Sequence, residues 1–465
     1  MKTSLLFRKA HKWLALIVGV QVLLWSVSGL YMTAVDISII HGDHLVKTKS
    51  LPALSQNAII PFSDMHIHST DEKNNNISSV MLSQTPLGPE YWISTESGLS
   101  RVDAQTGQVL PEFDVEKIRI LANYYYAGDA NIRSIELLEK YPRELGGRPR
   151  PIWQVKYDDW LASTLYFLPE TGALRSKRSD LWRWFDFLWM LHIMDYETRE
   201  EVNNNLLRLA SILGVLMVLA GLILLLTRLK AGYKSGKSLR SKIQMAHKVV
   251  ITIVGIQVVI WMVSGTIFSI LPQQKVSGWY LIEKPQVEYL QVNRTHFAKI
   301  IQQYPDAIKV EMKSILGKSF YEVTSVKERI LIEANSLSPT SLAESEVKRI
   351  VESSFKGSAK FESIVLETEK SFENRKFQLP VWRANFIGDE NPAVYVSTSG
   401  QLLGAKTDTW RLFDFFWMLH IMDYSERNDF NHWLIIGAAI FKFMVVLSGI
   451  WLLILVFKKT RRKSA

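Results

Sequence analysis

The chain has 465 residues, of which 48% are hydrophobic and 11% aromatic, and its formal net charge is +10. A mean hydropathy of +0.04 suits neither a soluble domain nor a compact many-helix transporter, and favours a few membrane spans joined to sizeable soluble regions. Cysteine is absent, which excludes disulfides, iron–sulfur clusters, thiolate ligation and covalent attachment of a c-type haem.

Four apolar stretches are each long enough to cross a hydrocarbon core about 30 Å thick, which takes about 20 helical residues. They cover Trp13–Val35, Leu206–Thr227, Val249–Leu271 and Trp433–Phe457. The basic residues before the first stretch are also typical of a cleaved signal peptide. However, the first stretch is too long for a signal peptide and its sequence recurs as the third, so we expect it to be retained as a span.

Positive charge is concentrated beside these four stretches. Residues 1–12, 228–248 and 458–465 contain 16 basic residues and no acidic residue. Because cytoplasmic loops are enriched in Lys and Arg, this bias predicts cytoplasmic termini, a short cytoplasmic link and two long loops on the opposite side. The basic composition therefore indicates membrane topology and not nucleic-acid binding.

Two segments of the chain recur in the same order. The segment that begins at His11 matches the one that begins at His247, with an offset of 236 residues, and the segment from Leu181 matches the one from Thr409, with an offset of 228. The identical positions include His11/His247, Lys12/Lys248, Gln21/Gln257, Trp25/Trp261, Ser28/Ser264, Gly29/Gly265, Trp182/Trp410, Asp186/Asp414, Trp189/Trp417, His192/His420, Asp195/Asp423 and Tyr196/Tyr424. This order predicts a tandem duplication in which each half contains a helix, an external domain, an interfacial helix and a second helix.

The external regions are predicted to be α+β, so the fold class is a membrane α+β protein with four transmembrane helices from a tandem duplication. Segments 101–110, 164–174 and 393–403 alternate as strands do and end in Gly turns, and charged helical stretches are predicted near 130–141 and 341–356. The predicted boundaries are 1–35 for transmembrane helix 1, 36–180 for the first external domain, 181–230 for an interfacial helix and transmembrane helix 2, 231–246 for the cytoplasmic link, 247–271 for transmembrane helix 3, 272–408 for the second external domain, and 409–465 for an interfacial helix and transmembrane helix 4.

Four of the ten histidines belong to the repeated segments: His11, His192, His247 and His420. Two spans per half insert both halves the same way up, so equivalent residues should lie at equal depth across a pseudo-two-fold axis. The rise along a helix from His11 to Gly29 alone is about 27 Å. We therefore expect His11 to pair with His247 on the inner side and His192 to pair with His420 on the outer side.

Two histidine pairs without cysteine and with few nearby carboxylates suit bis-imidazole ligation of two b-type haems (heme b), one at each face. A two-coordinate zinc or copper site would lack further ligands. The alternative is that His11 and His247 contact lipid headgroups beside Lys12 and Lys248. Small residues on the same helices leave room for a flat macrocycle: Ser28, Gly29, Ser264 and Gly265.

Asp195 and Asp423 lie three residues after their histidines, within helical reach. Each carboxylate is predicted either to accept a bond from an imidazole Nδ1–H or to be exposed to solvent. Helix packing is the predicted role of two further pairs, Gln21/Gln257 and Trp25/Trp261. Five tryptophans of the repeated segments are predicted either to anchor the chain at the membrane interface or to form the walls of a haem site: Trp182, Trp184, Trp189, Trp410 and Trp417.

The unrepeated motifs HGDH and MHIH place His41, His44, His66 and His68 at spacings that suit a metal, although the sequence identifies no third ligand. The sequence contains no Gly-rich phosphate loop, HExxH, GxSxG or dinucleotide fingerprint. Since the cytoplasmic segments are also too short to fold one, we expect no nicotinamide or flavin site in this chain.

The opening FRKAHKWLAL at 7–16, the W-x-x-x-S-G end of the first span and the paired Trp- and His-containing segments resemble the PepSY-associated transmembrane proteins. Segments 164–174 and 393–403 resemble PepSY modules. This family includes iron-regulated inner-membrane proteins and ferric-siderophore reductases. The resemblance implies a Gram-negative inner-membrane protein with a periplasmic external region, and gives the haem-ligand role to His11, His192, His247 and His420.

The function that follows as an expectation is a diheme transmembrane oxidoreductase, which passes electrons from a cytoplasmic donor to a periplasmic ferric siderophore and so releases iron. One alternative is a non-enzymatic membrane protein whose PepSY-like modules bind a peptide or a partner. Another is a haem conduit to a partner redox protein. The sequence assigns no catalytic or siderophore-contacting residue, no particular donor or chelate, and no oligomeric state.

Overall fold

The computed structural model describes residues 2–47, 50–55, 59–60, 77–147, 150–229, 237–283, 290 and 296–464. They form two compact units. The helical unit contains Met1–Asp43, Ser179–Ser277 and Asp408–Ala465, and the sheet unit contains His44–Arg178 and Gly278–Thr407. The chain is therefore a membrane-type α+β protein.

The helices of the described residues are α1 (Lys2–Ala34), α2 (Ile37–Ile40), α3 (Val115–Tyr125), α4 (Asp180–Ile193), α5 (Asn205–Leu229), α6 (Leu239–Ile270), α7 (Gln273–Ser277), α8 (His296–Gln303), α9 (Glu344–Ser354), α10 (Asp408–Ile421) and α11 (Trp433–Ser464). Four of them are long and apolar enough to cross a membrane, as the sequence predicts. The spanning parts are Leu5–Ala34, Asn205–Thr227, Leu239–Ile270 and Trp433–Phe457. The first and third spanning helices, α1 and α6, begin earlier than predicted. No Pro or Gly interrupts the basic residues that precede each apolar run, and Lys and Arg are good helix formers.

Two asparagines hold the ends of the spanning helices α6 and α1. The side-chain Nδ2 of Asn203 lies 2.8 Å from the carbonyl of Leu271, at the end of α6. The Nδ2 of Asn431 lies 2.8 Å from the carbonyl of Val35, at the end of α1. The last carbonyls of a helix have no partner within the helix, so each amide supplies donors that the helix lacks. The loop before α5 therefore caps α6, and the loop before α11 caps α1.

The strands of the sheet unit are β1 (Ile77–Thr85), β2 (Gly88–Thr95), β3 (Gly98–Asp103), β4 (Ile132–Leu138), β5 (Ile152–Tyr157), β6 (Thr164–Phe167), β7 (Leu174–Arg178), β8 (Ala307–Ile315), β9 (Lys318–Ser325), β10 (Arg329–Glu333), β11 (Pro339–Thr340), β12 (Lys360–Glu367), β13 (Val381–Ile387), β14 (Ala393–Ser397) and β15 (Leu402–Lys406). They form one seven-stranded sheet, in the order β11-β10-β9-β8-β1-β2-β3, and two four-stranded sheets, β4-β5-β6-β7 and β12-β13-β14-β15. The seven-stranded sheet is continuous because β1 pairs with β8, with Val80 opposite Met312.

Each four-stranded sheet buries one face under a helix. Ile118 and Leu121 of α3 pack on Val155 of β5 and Phe167 of β6. In the same way, Val347 and Val351 of α9 pack on Val394 of β14. These apolar contacts exclude water from one face of each sheet, which is what joins helix and sheet into one module.

The prediction of a helix at 341–356 is confirmed by α9, and the Gly turn of segment 393–403 is confirmed by Gly400, whose φ is +80°. The prediction of a helix near 130–141 is wrong, because this segment contains the strand β4. A bulge between Ile132 and Ser134 shifts the register of β4, so Ile132 and Ile135 both pack on the module core with helix-like spacing. The helix of this module is α3, which begins at its N-cap Asp114.

Candidate functional site

His192 and His420 line one cavity of about 280 Å³ in the helical unit. Its walls are largely apolar and aromatic, as is typical of a site for a small molecule or cofactor. The aromatic residues of the wall include Trp25, Phe185, Trp189, Trp261, Phe268 and Trp417. Of the Trp residues with two predicted roles, Trp189 and Trp417 thus form walls, whereas the side chain of Trp184 is 59% exposed.

The ends of α4 and α10 hold these histidines in place. Trp25 Nε1 donates to the carbonyl of His192 over 2.7 Å, and Gln21 Nε2 donates to the preceding carbonyl of Leu191 over 2.9 Å. Trp261 makes the matching bond to the carbonyl of His420, also over 2.7 Å. Each helix is followed by a residue with positive φ, Met194 after α4 and Met422 after α10. Gln21 and Trp25 were predicted to pack helices together. They do so by donating hydrogen bonds to the free carbonyls of the last turn of α4, which carries His192.

The tautomer of His192 follows from its hydrogen bonds. Its Nδ1 lies 2.9 Å from the hydroxyl oxygen of Ser28, and that hydroxyl donates its proton to the carbonyl of Leu24 over 2.7 Å. Because a carbonyl only accepts and a hydroxyl has one proton, the oxygen of Ser28 must accept from the ring. His192 therefore carries its proton on Nδ1 and has a lone pair on Nε2.

The same reasoning applies to His420. Its Nδ1 lies 2.7 Å from the hydroxyl of Ser264, which donates to the carbonyl of Ile260 over 2.7 Å. His420 is consequently protonated on Nδ1. Ser28 and Ser264, predicted only to leave space, instead set the tautomer and orientation of the two imidazoles.

The other two repeated histidines lie on α1 and α6. His11 Nδ1 donates to the carbonyl of Met217 over 2.9 Å. His247 Nδ1 lies 2.8 Å from the hydroxyl of Ser448, which donates to the carbonyl of Val445 over 2.8 Å. Both rings thus have the Nδ1–H tautomer as well. Within the described ranges, Nε2 of all four repeated histidines has no hydrogen bond.

The two histidine pairs lie at different levels of the helical unit. His192 contacts α1 at Ser28, which follows His11 by 17 residues, or about 26 Å of helix. This separation is too great for one ion or one macrocycle to contact both. His192 contacts the spanning part of α1, since Ser28 precedes the end of α1 by six residues and the bonds from Trp25 and Gln21 hold the end of α4 at that level.

Glycines provide space beside both pairs. Gly29 and Gly265 line the cavity, and a Cβ at either position would meet no atom within 4 Å. A Cβ at Gly221 would lie 2.9 Å from Cε1 of His11, and a Cβ at Gly449 would lie 3.5 Å from Cε1 of His247. The ring of His192 is parallel to the indole of Trp189, with an angle of 1° between their planes. Flat walls, open space and free Nε2 lone pairs fit an axially ligated macrocycle.

The carboxylates of Asp195 and Asp423 contact no imidazole, and both side chains are buried, so neither predicted role is correct. Asp195 accepts hydrogen bonds from the hydroxyl of Thr198 and from the backbone amides of residues 197, 198, 200 and 201, and Asp423 accepts from the equivalent loop after α10. Burial alone would raise the pKa of Asp195, but these hydrogen bonds hold that pKa well below its usual range. Both aspartates organise the loops that follow the histidines.

Lys442 of α11 also lines the cavity, and the sequence analysis missed it. The signal is visible, because Lys442 is a lone charge inside an otherwise apolar span, which is costly and typical of a functional position. At the 228-residue offset the first half has Gly214 instead. The repeat pattern draws attention to shared residues, and Lys442 is not shared.

None of the other described histidines lines this cavity. His41 and His44 adjoin α2, and His66 and His68 fall outside the described residues. His432 Nε2 contacts the carbonyl of Ile421 at the end of α10, where Asn204 contacts the carbonyl of Ile193 in the first half. Across the part of the chain that the structure describes, no group of three or more His, Cys, Asp or Glu side chains is arranged to hold a metal ion.

Comparison with known proteins gives one family. Its sequence model, described as the PepSY-associated TM region, matches residues 8–313. The matched range includes His11, His192 and His247 and ends before His420. No curated protein matches the chain.

Proposed function

The chain belongs to the family of the PepSY-associated TM region, and from this premise we propose that it is a diheme b-type membrane reductase. In this proposal, electrons from a cytoplasmic donor cross the bilayer and reduce a ferric chelate, such as a ferric siderophore, on the periplasmic side. Reduction to Fe(II) weakens binding by hard oxygen ligands and releases the iron. The acceptor is a substrate and not a resident metal.

One observation supports the proposal above the others: four histidines share a tautomer that leaves the Nε2 lone pair free, and they occur as two pairs at two levels. Axial ligation of haem iron requires an unprotonated imidazole nitrogen, and a bond from the opposite N–H orients the ring. Lipid-headgroup contact, the alternative for His11 and His247, requires neither a fixed tautomer nor pairing.

The proposed ligands are His192 and His420 for one haem and His11 and His247 for the other. Bound haem would supply reversible one-electron chemistry. The protein residues bind and orient: Ser28, Ser264 and Ser448 hold three imidazoles by Nδ1, and the carbonyl of Met217 holds the fourth. The largely apolar cavity walls would pack against the flat faces of the bound group.

The proposal includes a tandem duplication and a definite topology. Matched residues make matched contacts in both halves, as the tryptophan bonds to the carbonyls of His192 and His420 illustrate. The basic residues beside the spans support cytoplasmic termini in a bacterial inner membrane, with the sheet unit in the periplasm. Two spans per half support equal depth for equivalent histidines.

The test begins with the visible spectrum of the full chain, purified from cells with adequate haem supply. We expect a reduced b-type Soret and α-band and about two haems per chain. His192→Ala and His420→Ala should each remove the same haem and leave the other. His432→Asn is the matched control, because Asn204 occupies the equivalent position, and it should retain both haems. A haem-free protein would refute the proposal, and loss of different haems would refute the pairing.

The acceptor requires a second measurement. The dithionite-reduced protein is mixed with a ferric siderophore under anaerobic conditions, and reoxidation is followed in the α-band. Fast reoxidation with formation of Fe(II) supports the reductase. Reoxidation only by a partner redox protein would instead support a haem conduit.

A further inference from the structure

Lys442 lies on one face of α11 between the two histidine pairs. Ile435, Ala439 and Lys442 line the cavity that His192 and His420 share. Further along α11, Ser448 and Gly449 contact His247. The rise from Lys442 to Ser448 is six residues, or about 9 Å. Along α11, Lys442 therefore lies at the His192–His420 cavity and about 9 Å from the residue that contacts His247.

The face of an indole lies beside the ammonium group of Lys442. Its Nζ lies 5.1 Å from the ring centroid of Trp261, a distance at which an indole face attracts a cation. Among the described residues Lys442 has no hydrogen bond and no ion pair with a carboxylate. No carboxylate of the described residues therefore neutralises the ammonium group, which lies in the wall of the cavity that His192 and His420 share.

The first half lacks this charge. Gly214 occupies the equivalent position on α5, and the methyl end of Met262 lies where a Cβ at Gly214 would be. A lysine at position 214 would therefore displace the end of Met262. The cavity of His192 and His420 thus has a lysine in its wall on α11, and α5 has a glycine at the equivalent position.

We propose that the positive charge of Lys442 raises the midpoint potential of the His192–His420 site, which favours electron transfer to this site from the His11–His247 site. The His11–His247 site is here called the inner site and the His192–His420 site the outer site. One electron leaves the inner site, which is oxidised, and enters the outer site, which is reduced, without making or breaking a covalent bond. A fixed cation in a medium of low dielectric constant stabilises the added electron. This inference rests on the proposed diheme function. Lys442 acts on the outer site through its charge and does not bind the iron.

The test is a spectroscopic redox titration of the full chain in detergent or nanodiscs. The outer-site potential is identified as the one missing in His192→Ala. Lys442→Met should lower that potential and change the inner one less, and Lys442→Arg should restore it. Lys242→Met removes an exposed charge from α6 and should change neither potential.

Lys442→Gln is the second neutral variant, in case Lys442→Met assembles poorly. Unchanged potentials in a neutral variant that retains both haems would overturn the inference. Loss of the outer haem in both neutral variants, with retention in Lys442→Arg, would also overturn it, since Lys442 would then hold the group and not set its potential. Absence of haem from the wild-type protein would instead refute the diheme function itself, so the two failures are distinguishable.

Discussion

The hydroxyl oxygen of Ser28 lies 2.9 Å from Nδ1 of His192, and its own proton is directed to the carbonyl of Leu24. The serine therefore acts as an acceptor that holds the ring of a residue 164 positions away. An imidazole that donates its Nδ1–H is a stronger donor through Nε2, which makes this contact relevant to any metal that Nε2 binds.

Ser28→Ala removes the acceptor and leaves the Nδ1–H of His192 without a partner. We expect haem affinity at the outer site to fall about 10- to 100-fold, as is typical when a residue that holds a metal-ligating histidine is lost. The outer-site midpoint potential should rise, because a less basic imidazole stabilises the ferric state less. Haem titration and redox titration measure the two effects.

The control for this variant is Ser26→Ala. Ser26 also lines the cavity and also donates to a backbone carbonyl, that of Val22, but it contacts no histidine. Its affinity and potential should stay at the wild-type values. Equal losses in Ser26→Ala and Ser28→Ala would show that cavity polarity, and not the bond to His192, is responsible.

Gly221→Ala and Gly449→Ala form a matched pair at the other site. A Cβ at Gly221 would lie 2.9 Å from Cε1 of His11, a ring held by the carbonyl of Met217, so we expect overpacking to cost about 1–3 kcal/mol. A Cβ at Gly449 would lie 3.5 Å from His247, which is an ordinary contact, and alanine gains about 0.5–1 kcal/mol of helix propensity. Gly221→Ala should therefore lower the melting temperature and inner-haem content, and Gly449→Ala should lower neither. The reverse order would contradict this account.

Asn203→Ala and Asn431→Ala remove the caps of α6 and α1. Each leaves helix-terminal carbonyls without donors, at a cost of about 1–3 kcal/mol. Asn203→Asp should be worse than Asn203→Ala, because a carboxylate would then face the carbonyls that the amide now binds. Thermal unfolding of the three variants in one detergent measures the order. An aspartate variant as stable as wild type would exclude the capping role.

Asp195→Asn tests the loop that follows His192. The pKa of Asp195 is held below its usual range by hydrogen bonds to the carboxylate, so its contribution to stability is present above the unfolded pKa of about 3.9 and is lost as the pH falls through the lower folded value. Asp195→Asn should unfold at a lower temperature than wild type at pH 7, and the difference should shrink below about pH 4. Melting curves between pH 7 and pH 3 measure this, and a difference independent of pH would contradict the prediction.

The spanning helices and the helix–sheet modules were largely predictable because their signals are local. An apolar run of about 20 residues, or a charged amphipathic helix such as α9, can be recognised from the residues of that segment alone. β4 was not predictable in this way, since its bulge gives Ile132 and Ile135 the spacing of a helix. The pairing of β1 with β8 also has no local signal, because Val80 and Met312 are far apart along the chain.

The candidate site was predictable in its histidines and not in their surroundings. Repetition identified His192 and His420, but the partners of their Nδ1 atoms depend on where α4 and α10 contact the spanning helices. The short spacing to Asp195 suggested a local partner, whereas the structure uses Ser28 on another helix. Lys442 was not predicted because the equivalent position of the first half is Gly214, whereas the other site residues were found through their identity in both halves.

The cap on α1 has a consequence for the order of assembly. Asn431 follows Met32 by 399 residues, so most of the chain must be synthesised before the end of the first spanning helix acquires its donor. The Asn203 cap behaves differently, since Asn203 precedes α6 and is available as soon as that helix forms. Pulse-labelled chains truncated before residue 431 should therefore have a protease-sensitive end of α1 while α6 is already protected. Late translation of the last loop would be the event that completes the helical unit.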